Sequence, residues 1–138
     1  MANEFTRLRV AKASYSFTTD GGATGTIIPS ISDIVPSGAT IVDVKSIVNT
    51  AFTTTNSDGQ IAWTAGGVTI KAAETTSNCV YGTGSGAIVD VIRAGNAGST
   101  GTAKYIPITT TSSAQIKLVL TVDAITAGAV DMYVFYID

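Results

Sequence analysis

The side chains best suited to chemistry are ten carboxylates and one cysteine, and the chain contains no histidine. Without an imidazole, Ser–His and Cys–His nucleophiles and His-ligated metal sites are excluded. Cys79 lies in the polar run Ser77-Asn78-Cys79-Val80-Tyr81 with no base to activate it and no second cysteine to bridge to. A pair of carboxylates could still hydrolyse a glycosidic bond as acid and base. Asp43, Asp90 and Asp131, however, fall mid-strand on expected outer faces. Asp20, Asp58 and Asp123 fall at turns, where Asp accepts hydrogen bonds from backbone N–H groups. These positions suit solvated faces and turn formers, so the expectation is no enzyme, no cofactor and no metal.

Three loops mimic binding motifs and fail on context. Asn56-Ser57-Asp58-Gly59 has the look of a calcium loop, but the EF-hand's acidic first ligand and twelfth-position Glu are replaced by Thr54 and Ala65. Gly82-Thr83-Gly84-Ser85-Gly86-Ala87 fits G-x-G-x-x-A, yet a strand pattern follows it where the dinucleotide fingerprint needs a helix. Gly95 to Lys104 holds glycines and a lysine without the GK[ST] of a phosphate loop.

The elements that would position any site are strands. Pro36-Ser37-Gly38 makes a tight turn, and a long strand follows to Phe52. In it Val42, Val44, Val48 and Phe52 are expected on a buried face, and Asp43, Lys45 and Asn49 on a wet one. Before it, Leu8 and Val10 and then Ala13, Tyr15 and Phe17 predict a first strand with a phase slip near Ala11. Residues 1–12 are therefore expected as an arm or first strand, and 13–138 as the domain. Thr24 to Ile28 is a short strand stopped by Pro29. Ile61 and Trp63, the Ala65-Gly66-Gly67 turn and Val68 to Lys71 predict a hairpin. Val80-Tyr81, Ile88 to Ile92 and an edge strand around Pro107 come next. Ile116 to Val122 alternates cleanly. After an Ala127-Gly128-Ala129 turn, Val130 to Ile137 is apolar on both faces, so one face should meet the core and the other a further layer or subunit. The sum is an all-β, single-domain antiparallel fold of about 8–10 strands with no significant helix, a sandwich or barrel.

Composition agrees. Hydrophobic residues make up 45% and charged residues 13%, about half the usual ~25%. The net charge is −2 and no basic run tracks a phosphate backbone, so nucleic-acid binding is not expected. Arg7, Arg9 and Lys12 are the lone basic cluster, either a solvated strand face or a short arm docking on an acidic partner. No signal-peptide h-region and no apolar run of about 18 residues appears, so synthesis in a cytoplasm without membrane insertion is expected. Of the ten aromatics half are tyrosine. Tyr133, Phe135 and Tyr136 crowd the last strand and suit core or subunit packing. Trp63 is the one plausible exposed anchor for a glycan.

Two segments carry a family resemblance. Ile28 to Thr53 with Pro36, Gly38, Ala39, Ile41, Asp43, Val44, Thr50, Ala51 and Phe52, and Leu118 to Ile137 with Leu120, Thr121, Val122, Thr126, Ala127, Gly128, Tyr133, Val134 and Tyr136, resemble small virion proteins of tailed bacteriophages. The resemblance covers most of the chain and is loose between Ser57 and Tyr105. Phe135 departs from it, standing where such proteins often carry a charge. The resemblance implies a jelly-roll-like sandwich that forms homotrimers on the outer surface of the virion. It implies a capsid decoration (cement) protein clamping adjacent copies of the major capsid protein. Arg7, Arg9 and Lys12 would then contact the capsid, and Tyr133, Phe135 and Ile137 would form the subunit interface. The alternative is a tail-fibre or baseplate module presenting Trp63, Asn56 and Asp58 to a host receptor or glycan.

Overall fold

The computed structural model describes residues 7–56, 58–75, 87–90 and 108–138. Cys79, the Val80-Tyr81 strand, the glycines at 82–86, and Pro107 with the 95–101 loop lie outside them. The elements are β1 (Leu8–Ser16), the one-turn helix α1 (Phe17–Asp20), β2 (Gly25–Ile27), β3 (Ile31–Ser32), β4 (Ile34–Val35) and β5 (Thr40–Thr54). They continue with β6 (Gln60–Ala65), β7 (Val68–Thr75), β8 (Ala87–Asp90), β9 (Ile108–Thr109), β10 (Ala114–Gln115), β11 (Lys117–Thr121) and β12 (Ile125–Ile137). The fold is all-β, as the alternation predicts.

Two sheets form. The first has the order β3-β1-β12-β5-β8, with β9 also on β5, and the second β2-β11-β6-β7; β4 and β10 make a separate short ribbon. Every pairing is antiparallel. The main pairs nest: β1 with β12, β2 with β11, β5 with β8, and β6 with β7. The chain thus behaves as a long hairpin rolled over itself, with the first and last strands side by side.

Side chains from the two sheets meet in one core. The first sheet supplies Ala11, Ala13, Tyr15, Ile41, Val44, Val48, Phe52, Val130, Met132 and Val134, and the second supplies Ile61, Trp63, Ile70, Leu118 and Leu120. Tyr15 stacks on Phe52 with ring centroids 5.5 Å apart. The Tyr15 hydroxyl donates to the Gly21 carbonyl at 2.7 Å. Burial, and secondarily the charge of Asp20, push its pKa up to about 12. Thr110 secures the turn before β5: its hydroxyl donates to the Pro36 carbonyl at 2.6 Å and accepts from the Ala39 N–H at 2.9 Å.

Three sequence expectations are corrected. β1 has no phase slip: it pairs with β12 in unbroken register from Leu8↔Ile137 to Ser16↔Ala129, with Ala11, Ala13 and Tyr15 inward, so Leu8 and Val10 lie on the opposite, outer face and Phe17 begins α1. In β5 the buried residue is Ile41, not Val42. Asp43 faces Phe135 while Ile41 faces Tyr136, so Val42 is the extra residue of a bulge that resets the alternation. Ala127 to Ala129 is not a turn. It is an irregular start of β12 with register shifts on β5, and the chain reverses instead at Val122 to Ala124.

Candidate functional site

The outer face of the first sheet collects the side chains suited to binding. Strand parity and register place them in rows across β1, β12 and β5. Leu8, Ile137 and Thr40 form one row, Val10, Phe135 and Asp43 the next, Lys12, Tyr133 and Lys45 the third, and Ser14, Asp131 and Ile47 the fourth. The first two rows make an apolar corner in which Leu8 is 65% and Val10 53% exposed. The third is cationic and aromatic, with the Lys12 ammonium 5.5 Å from the centroid of the Tyr133 ring. The fourth is a hydrogen-bonded strip, where Asp131 accepts from the Ser14 hydroxyl at 2.7 Å and from the Asn49 amide at 3.3 Å. Beyond it lies a groove of about 410 Å³ lined by Ser16, Phe17, Thr18, Thr50, Thr126, Ala127, Gly128 and Ala129.

The carboxylates on this face are engaged with neighbours. Asp43 pairs with Lys45 at 3.3 Å and Asp131 is held as described. Among the described residues no three metal-ligating side chains converge. The arrangement offers contact surface: apolar area at one corner, charge and hydrogen bonding beside it.

Tyr133, Phe135 and Ile137 lie half-buried on this face in consecutive rows, as the two-sided pattern of the last strand predicts. Arg7, Arg9 and Lys12 do not converge. Arg9 projects from the opposite side of β1 to Lys12 and forms an ion pair with Asp138 at 2.8 Å, while Lys12 covers Tyr133 and Arg7 is exposed. Trp63 is the main correction. It is 0% exposed, paired across the sheet with Leu118 in the core, and cannot serve as a surface anchor. The alternation grouped Ile61 with Trp63 correctly, but parity does not say which face of a hairpin meets the other sheet.

Asn56 and Asp58 belong to a loop tied down from β11–β12. The Asp123 carboxylate accepts from the Asn56 N–H at 2.8 Å, the Asp58 N–H at 3.1 Å and the Asn56 amide at 3.3 Å. Burial pushes the Asp123 pKa upward, but these three donors outweigh it and hold the carboxyl below the ordinary range. A lowered folded pKa stabilises above the unfolded value and is lost as pH falls through the folded one. Asp123→Ala should therefore lower the urea midpoint at neutral pH. The gap from the unmodified protein should close as pH drops below about 4, which a pH series of urea melts would read out.

Sequence reasoning missed that Leu8 and Val10 share one exposed face with Phe135 and Ile137. The signal was available: without the assumed slip, the odd positions Ala11, Ala13 and Tyr15 already placed both outward.

No protein-family model matches the chain, and no curated protein does. Among solved structures, a chain of the cyanophage Pam1 capsid asymmetric unit matches with a TM-score of 0.53 and 22% identity, over 96% of this chain and 85% of that one. The two chains share a fold. The likeness runs through both sheets and is not confined to one hairpin.

Proposed function

We propose that this chain is a structural virion protein that decorates and stabilises the outside of a phage capsid by clamping adjacent subunits of the major capsid protein. The observation that carries the reading is a β-sandwich matched over 96% of its length by a chain of a capsid asymmetric unit. The nested strand order supports reading the sandwich as a jelly roll, whose two four-stranded sheets arise by rolling up one long hairpin. The role is mechanical and not enzymatic. A rigid sandwich buries its outer apolar rows against the shell or against further copies of itself, as a homotrimer, and many weak contacts repeated over the particle add up. Synthesis is in the host cytoplasm.

The receptor-binding alternative loses its anchor with Trp63 in the core. The discriminating experiment is the copy number of the chain per purified particle, by quantitative mass spectrometry against the major capsid protein. A simple ratio to the shell protein is expected. A handful of copies would move the protein to the tail, and absence from the particle would overturn the virion reading altogether.

A further inference from the structure

β1 is the edge of the first sheet over part of its length. β3 covers Ala13 and Ser14. Just below, the Lys12 N–H donates to the Asp33 carboxylate at 2.9 Å, and the Asp33 N–H donates to the Lys12 carbonyl at 2.9 Å. The Ser16 N–H likewise turns outward, to Asp20. Even-numbered residues of β1 therefore point their backbone groups away from β12, so the N–H and C=O of Leu8 and Val10 face outward. Nothing among the described residues bonds them: β1 pairs only with β12 and, at Ala13 and Ser14, with β3. The side chains above these open groups are the two most exposed of the apolar corner. An open edge carrying exposed apolar residues is a template for an added strand.

Leu8 and Val10 of two β1 edges can pair with one another in three antiparallel registers, since both residues of a hydrogen-bonded pair must be even-numbered. Leu8 opposite Val10 of a second copy sets Arg9 against Arg9. Leu8 opposite Leu8 sets Arg7 against Arg9 twice. Val10 opposite Val10 brings Leu8 against Lys12, whose outward groups Asp33 already occupies. Like charges directly opposed on a sheet are destabilising; Asp138 offsets part of this at Arg9, but the exposed Arg7 and the Asp33 block still make a second copy the poorer occupant. Charge complementarity calls for an extended segment that is apolar where it faces Leu8 and Val10 and acidic where it passes the exposed Arg7, Arg9 being already paired with Asp138.

We infer that the Arg7–Ala11 edge of β1 takes up such a strand from the capsid shell protein, continuing the first sheet where β3 leaves it. This rests on the decoration reading above and gives that contact its chemistry: four main-chain hydrogen bonds to Leu8 and Val10, with the apolar corner closing over them.

Parity supplies the test. Val10→Pro deletes an outward N–H and leaves the β12 ladder intact, since the Val10 N–H does not face β12. The unmodified protein, Val10→Pro and the double variant Leu8→Lys/Val10→Lys would each be titrated onto shells lacking the protein, with circular dichroism melts in parallel. The expected result is tight binding by the unmodified protein and a loss of about a hundredfold or more in both variants, with melts close to the parent. Amide exchange at Leu8 and Val10 should slow on binding, while that of Ala11, already paired with Val134, should not change. The Lys variant keeps the backbone and decides the matter if the Pro variant melts early. Undiminished binding by a folded variant would overturn the edge while leaving decoration standing. Failure of the unmodified protein to bind would overturn both. A free dimer abolished by Val10→Pro would assign the edge to a second copy instead.

Discussion

Replacing Trp63 with alanine should cost the fold about 3–5 kcal/mol, a large share of the roughly 5–15 kcal/mol by which domains of this size are stable. Trp63 is the largest fully buried side chain and stands on β6 opposite Leu118. Alanine would leave a void that two hydrogen-bonded sheets cannot collapse to fill. Trp63→Phe should cost much less. The indole N–H is buried with no hydrogen-bond acceptor among the described residues, and removing such a group returns about 1–3 kcal/mol against the lost volume. Urea unfolding followed by far-ultraviolet circular dichroism would rank the three proteins, with the Phe variant between the other two. Equal midpoints for parent and Trp63→Ala would show that the core does not depend on this residue.

Gly22→Ala is the second large effect. A methyl group there would run into the Ile125 carbonyl oxygen and lie 2.9 Å from both the Ile125 carbonyl carbon and Cβ. Backbone cannot yield as a side-chain tip can, because the Ile125 N–H also donates to the Gly22 carbonyl at 2.8 Å and fixes the spacing. Overpacking of this kind costs about 1–3 kcal/mol, and the rigidity of the contact puts Gly22→Ala at the upper end. Thermal melts would show it as a clear fall in Tm. A Tm matching the parent would mean that β12 can begin elsewhere without loss.

How much could be read beforehand follows from what alternation encodes. The Gly66-Gly67 hairpin, β11 and most of β12 were legible because β-branched and aliphatic residues recur there with period two between clear turn signals. Val42 was misplaced because Thr40-Ile41-Val42-Asp43-Val44 puts β-branched apolar residues on both parities, leaving the bulge without a local signature. The slip assumed in β1 came from taking exposed Leu8 and Val10 for core. That Tyr133, Phe135 and Ile137 share one face was legible from parity. The burial of Trp63 was not, since choosing the inner face needs the second sheet. The basic cluster dissolved for a related reason: Arg9 and Lys12 are three apart, and on a strand that separates them onto opposite sides. Strand order, which brings Leu8 beside Ile137, is a property of the whole chain.

The central place of β12 has a kinetic consequence. It fills the gap between β1 and β5, pairing with residues as far back in the chain as Thr54 opposite Ile125 and Leu8 opposite Ile137. Until residues 125–137 leave the ribosome, the first sheet is two ribbons with a strand-wide slot between them, and neither can hold its half of the core. Pairings this distant in sequence close late and slowly. The first sheet should therefore close in a single late step, once β12 is available. A nascent chain stalled before Ile125 should be degraded as readily as an unfolded one.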